Sequence, residues 1–282
     1  MKISQKIALA ILGLLSPLTY GQLHLAEDNP VVYGHHHINT LDSGAHKRFW
    51  IEGLGGTTKL IGDAQREIIE FPNLQVFLTE NEPSGGTRGT VVNHVGFETT
   101  NISAAVSRLQ EMGYNMITRE ELPDRFPVED GIASVNGATL AFVQGPDDIK
   151  VELIENTANP YPIQLHHVHW AVEDGAAVQA WYVENLGAAM GSRIGQPAGD
   201  FPGVNLTFGP TPVPTTPTRG TVLDHIGFEV KNLKAFCDEL KAKGIELDMD
   251  YREIPSLGIA IAFLTDPWGT YIELTEGLGS QK

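Results

Sequence analysis

The chain has 282 residues, is 41% hydrophobic and 19% charged, and carries a formal net charge of −16. That length suits one large domain or two ordinary ones, each able to bury its own core. The acidic balance excludes nucleic acid and anionic membrane surfaces as main partners, and leaves a small-molecule substrate as the expected one, for a monomer or homodimer.

Residues 1–21 read as a cleavable signal peptide. A basic start, MKISQK, is followed by IALAILGLLSPL, too short to span a bilayer comfortably, and by small residues around Gly21. The mature chain is therefore expected in the periplasm or outside the cell, with no membrane segment after signal removal. No Cys stands near the cut, which argues against a lipid anchor. The single cysteine, Cys237, allows no internal disulfide and sits among Leu233, Phe236 and Leu240 at helical spacing, as a small buried hydrophobe would.

The rest of the chain repeats itself. HHHINTLD (35–42) matches HVHWAVED (167–174) at an offset of about 132, and TRGTVVNHVGFET (87–99) matches TRGTVLDHIGFEV (218–230) at about 131. Residues 31–155 and 163–277 read as two versions of one domain, joined by the linker 156–162, NTANPYP.

Each version divides again, in chain order, into a short His-bearing strand, a helix and several β-rich runs. The first helix follows the N-cap candidate Asp42. LQVFLT follows as a strand, then HVGFE, then a helix marked by Ile102, Ala105, Val106 and Leu109 before Gly113. ATLAFVQ and VELIE close the first version. The second opens on HVHWAV and a helix capped by Asp174, with Val178, Trp181, Tyr182 and Leu186 on its apolar face and Gly187 as its stop. VNLTF, the Pro-rich crossover 209–220, DHIGFEV, a helix ending near Gly244, IAIAFLT and YIELT complete the pattern. The expected fold class is α+β, with four βαβββ units.

Side chains alternate across a strand. Ile226, Phe228 and Val230 then share an apolar face, and His225, Gly227 and Glu229 the other; His94 and Gly96 repeat this. A Gly beside the His leaves room around the imidazole. His167 and His169 share a face opposite Val168, Trp170 and Val172; His35 and His37 match them, and His36 falls on the other face. Glu152 and Glu273 stand opposite the apolar residues of the closing strands, a costly place for an unpaired carboxylate. Each version thus offers two imidazoles and a carboxylate: His35, His94 and Glu152 in the first, and His167, His225 and Glu273 in the second. Such a set suits Fe(II), Mn(II), Zn(II) or Ni(II) and leaves coordination positions open for a substrate oxygen. His37 and His169 are candidate general bases or ligand-orienting groups, or alternative ligands if the register is off by two, and Glu152 and Glu273 candidate proton carriers. Arg88 and Arg219, repeated in TRG, could steer an anion, although surface-loop placement is the commoner outcome.

On LHHVHWAVED…WYVENLGA, DHIGFEV and FLTDPWGTYIEL, the chain resembles the vicinal oxygen chelate superfamily of glyoxalases, epimerases, extradiol dioxygenases and bleomycin-resistance proteins. The resemblance implies tandem glyoxalase-like open barrels of paired βαβββ units around a divalent metal. In glyoxalases a further ligand comes from the strand that here holds Gln75 or Asn205; a substrate contact or plain strand polarity is the competing reading. Ring-cleaving members carry a Tyr where Phe263 stands. The favoured chemistry is a metal-dependent lyase or isomerase. The alternatives are an Fe(II) dioxygenase and a non-catalytic small-molecule binder.

Overall fold

The computed structural model describes Leu23 and residues 29–280; the signal segment read at 1–21 lies outside the described residues. Unit one comprises β1 (Val31–Thr40), α1 (Ser43–Lys47) continuing into a π-helical turn (Arg48–Gly53), β2 (Thr57–Ile61), β3 (Arg66–Phe71) and β4 (Leu74–Glu80). Unit two comprises β5 (Val92–Thr99), α2 (Ile102–Glu111), an insertion of β6 (Asn115–Met116), α3 (Thr118–Glu121) and β7 (Val128–Glu129), then β8 (Ile132–Val135), β9 (Ala138–Gln144) and β10 (Lys150–Glu155). Unit three comprises β11 (Ile163–Val172), α4 (Gly175–Leu186), β12 (Ala189–Arg193), β13 (Gln196–Phe201) and β14 (Val204–Pro210). Unit four comprises β15 (Leu223–Val230), α5 (Leu233–Ala242), β16 (Met249–Ile254), β17 (Ile259–Thr265) and β18 (Tyr271–Glu276).

The helix signals are realised locally. Asp42 and Asp174 accept from the backbone N–H groups of Ala45 and Ala177, the N-cap arrangement. Gly187 closes α4 with φ of 77°, a left-handed turn that costs glycine nothing. Cys237 is fully buried, and burial pushes its thiol up to about 11, leaving it unreactive. Among the described residues no helix is long and apolar enough to cross a membrane.

The four units form two open sheets, and the pairing crosses the sequence repeats. One eight-stranded sheet runs β16-β17-β18-β15-β1-β4-β3-β2, uniting units four and one; the other runs β12-β13-β14-β11-β5-β10-β9-β8-β7, uniting units three and two. In each, the two opening strands lie antiparallel at the centre, β1 on β15 and β11 on β5, and each closing strand lies parallel to its own unit's opener. The segment 156–162, read as the link between two domains, connects β10 to β11 within one sheet. The chain passes between sheets through 81–91 and 211–222, which bond each other: Val91 N–H donates to Thr216 O at 2.9 Å and Val222 N–H to Gly85 O at 2.9 Å.

The sequence repeats are held together by their helices instead. Arg108 Nε donates to Gly53 O at 2.8 Å between the helical layers of units one and two, and Lys243 Nζ donates to Glu184 O at 2.6 Å between units three and four. Each odd-numbered unit's helix is also pinned to the hairpin that delivers the next unit's glutamate. Trp50 Nε1 donates to His46 Nδ1, whose Nε2 meets Asp147 at 3.1 Å; Tyr182 OH donates to Asp266 Oδ2 at 2.9 Å. Asp266 also accepts from Trp268 and Thr270 N–H, which fixes the turn before β18. The apolar faces of both sheets and the helices merge into one core, crossed by Trp50, Phe71 and Phe97 on one side and Trp170, Tyr182 and Phe208 on the other. His35, His37, His94, His167, His169 and His225 lie on the opposite sheet faces.

Candidate metal centres

All six ligand candidates converge, in groups different from those expected. His35 of β1 meets His225 of β15 and Glu273 of β18. His35 Nε2 and His225 Nε2 lie 2.8 and 3.0 Å from the same carboxylate oxygen of Glu273. His167 of β11 meets His94 of β5 and Glu152 of β10: each Nε2 lies 3.0 Å from Glu152 Oε2, and the two Nε2 atoms lie 3.3 Å apart. The expected triads His35/His94/Glu152 and His167/His225/Glu273 are therefore corrected by exchanging the first histidines. The cause is the cross-repeat pairing: an opening strand packs beside the opener of the unit in its own sheet, not beside the next unit in sequence.

The recurring glycine serves the neighbouring strand. A Cβ on Gly227 would sit 2.0 Å from the His35 ring, and one on Gly96 only 1.9 Å from the His167 ring. The space they leave is filled by the imidazole across the central ladder, where Gly227 faces His35 and Gly96 faces His167.

The electrostatics of both centres call for a positive charge, a proton or a metal ion, beside the carboxylate. His225 Nδ1 donates to Asp224 Oδ1 at 2.7 Å and His94 Nδ1 to Asn93 Oδ1 at 3.0 Å. In a neutral ring, that tautomer turns the Nε2 lone pair toward an ionised carboxylate oxygen. Two acceptors at 3.0 Å repel unless a proton or metal lies between them. Donors each about 2.0–2.2 Å from one ion span distances of this size. Burial alone would raise both glutamates, yet their two histidines hold Glu152 and Glu273 well below the usual carboxylate range. Burial lowers His94 and His167 to about 4 despite Glu152, so both rings are neutral near pH 7, the form that binds metal. His225 is raised, because Asp224 and Glu273 together outweigh its burial.

Stability follows from these shifts. His94 and His167 titrate lower when folded, so the unfolded chain takes up more protons below about 6.5, and stability falls as pH drops from there toward 4. Glu152, depressed, acts in the same direction at lower pH. His225 has the opposite sign, adding stability that is lost as pH rises through its raised value. In chelator, the melting temperature is expected to drop between pH 6.5 and 4, on the order of 10 °C; a flat profile would contradict the burial of neutral imidazoles.

The remaining candidates separate. His37 and His169 both lie at the centres: one donor atom of each of His35, His37, His225 and Glu273 lies within 4.8 Å of the others, as for His94, His167 and His169. Burial, then the neighbouring histidines, holds both rings well below 6.5. His37 Nε2 is bonded to Thr79 Oγ1, whereas at the matching position Gly209 offers His169 no such partner. His36 turns away to bond Tyr33 OH at 2.7 Å. Gln75 shares the site face with Phe77 and keeps a buried, unpartnered Oε1, whereas Asn205 is tied to Asp200 and Thr207. Phe263 packs edge-on against His225. Arg88 pairs with Glu120 and Arg219 lies over Tyr271, both partly exposed. Sequence reading missed Arg193, Asp224, Asn93 and Thr79. The signal was available as differences between the two repeats rather than as their likeness.

Residues 164–274 match the profile of the Glyoxalase/Bleomycin resistance protein/Dioxygenase superfamily. Among solved structures, glyoxalase I from Zea mays is 17% identical with a TM-score of 0.68, covering 89% of this chain and 94% of that one. A putative dioxygenase from Bacillus subtilis subsp. subtilis str. 168 is 11% identical with a TM-score of 0.60, covering 87% and 84%. No curated protein matches the chain in sequence. The second repeat therefore carries this superfamily's sequence profile, and nearly the whole chain shares the fold of these structures. At these identities the structural likeness is one of fold alone.

Proposed function

We propose that the protein is an exported, divalent-metal-dependent enzyme acting on a small oxygen-chelating molecule by lyase or isomerase chemistry, with two metal centres per chain. The observation that carries this is the convergence of two imidazole Nε2 atoms on one carboxylate oxygen at 2.8–3.0 Å in each sheet, a donor set that a shared cation fits. His35, His225 and Glu273 would hold one ion, and His94, His167 and Glu152 the other. A bound divalent ion supplies Lewis acidity toward substrate oxygens and open positions to receive them. The chain's own groups do the rest. His169, neutral and without a side-chain hydrogen bond, is the better placed proton acceptor; His37 gives its Nε2 to Thr79. Glu152 and Glu273 are held ionised by their histidines and would take up a proton only as that compensation is withdrawn.

Metal analysis of the purified mature protein tests this. Near two equivalents of Zn, Mn or Ni, with no oxygen consumption, is the expected result. Iron accompanied by oxygen uptake would replace the lyase reading with an oxygenase on the same ligands. A chain that takes up no divalent metal would end the proposal in favour of a non-catalytic binder.

A further inference from the structure

The two centres differ in charge, and the geometry points to the 94/152/167 centre as the one that takes an anionic ligand, a carboxylate next to a second chelating oxygen, with Arg193 as its counter-charge. This rests on the metal reading above and goes beyond it by naming the class of ligand.

Arg193 ends β12, and its side chain is only 14% exposed. Its Nη2 lies 4.0 Å from Glu152 Oε2, and its Nη1 is buried with no hydrogen-bond partner. A guanidinium buried with an idle donor is costly. Beside a metal it is costlier, since a divalent ion and Arg193 against Glu152 alone leave two net positive charges in a dry site. A bound anion removes both penalties at once, and a planar carboxylate suits the guanidinium fork.

A second polar group beside the centre is also unpaired: Gln196 Oε1 is buried and unpartnered. A Cβ on Gly209 would lie 2.3 Å from His169 Nε2 and 2.8 Å from Gln196 Oε1, so the glycine lets those two side chains close against its strand beside the centre. The other centre is built the opposite way at each matching position. Matched through their strand ladders, Ile61 stands for Arg193, Arg66 for Gln196 and Thr79 for Gly209. Arg66 is occupied by Leu78 O and Thr79 Oγ1 at 3.4 and 3.3 Å and lies over Phe77. Asp224 behind His225, where the second centre has neutral Asn93, gives the first centre a further negative charge, so that with Arg66 counted it keeps one net positive charge with a divalent ion bound where the second keeps two.

The experiment loads Co(II) into full-length His225→Ala, which leaves the 94/152/167 centre as the reporter, and titrates glycolate or its neutral analogue glycolamide against the Co(II) visible spectrum. Adding Arg193→Gln is expected to weaken glycolate about 10- to 100-fold, to leave glycolamide within about threefold, and to leave Co(II) affinity unchanged or tighter. Arg193→Lys should recover part of the glycolate affinity. Glycolate affinity within threefold of the parent, with Co(II) still bound, would overturn the anion assignment while sparing the metal centre. Weaker Co(II) binding in both arginine variants would make Arg193 a structural support and also overturn it. A parent that takes up no Co(II) would remove the metal reading, and this inference with it.

Discussion

Gly227→Ala is expected to empty the 35/225/273 centre and leave the 94/152/167 centre loaded, so that bound metal falls from two equivalents toward one. A Cβ there would stand 2.0 Å from the His35 ring, so ring or strand must move. Glycine to alanine within a strand is by itself favourable by roughly 0.5–1 kcal/mol. Overpacking costs roughly 1–3 kcal/mol, so the clash prevails, and the cheaper escape is to rotate the imidazole out of the centre. Metal affinity there should fall on the order of 100-fold or more, since even disturbed supporting contacts cost 10- to 100-fold. Gly96→Ala is the mirror experiment, with His167 as the displaced ring at 1.9 Å. Retention of two equivalents in either variant, by metal analysis after dialysis, would show that these glycines do not make room for ligands.

Removing histidines in pairs separates cross-repeat centres from one centre per repeat. His35→Ala with His94→Ala takes one ligand from each centre, because His35 serves Glu273 and His94 serves Glu152. Both centres should fail, and bound metal should approach zero. His35→Ala with His225→Ala takes both imidazoles from one centre and should leave about one equivalent on the other. If each sequence repeat held its own centre, the two double variants would exchange results. Far-ultraviolet circular dichroism guards against unfolding, since each alanine also removes a buried ring that packs beside Phe77, Phe142 or Phe263.

Much of this was legible in the sequence. Strand parity put His35, His94, His167 and His225 on non-core faces with Glu152 and Glu273, and the structure keeps all six there, buried. It also set His36 apart. Side-chain alternation and helical period are local properties, so a single sequence carries them. The caps at Asp42 and Asp174 and the burial of Cys237 were legible for the same reason.

Which residues share a centre was decided only by the tertiary structure. Repetition shows which units are alike, and four like units each present the same opening strand to a partner. The choice of partner is set by non-local terms: helices packing within a repeat, the crossovers 81–91 and 211–222 bonding each other, and 156–162 being just long enough to bring β11 beside β5 in one sheet. The inequivalence of the centres is tertiary for the same reason. Arg193, Thr79 and Gly209 are ordinary hairpin and strand residues until folding sets them against Glu152, His37 and His169.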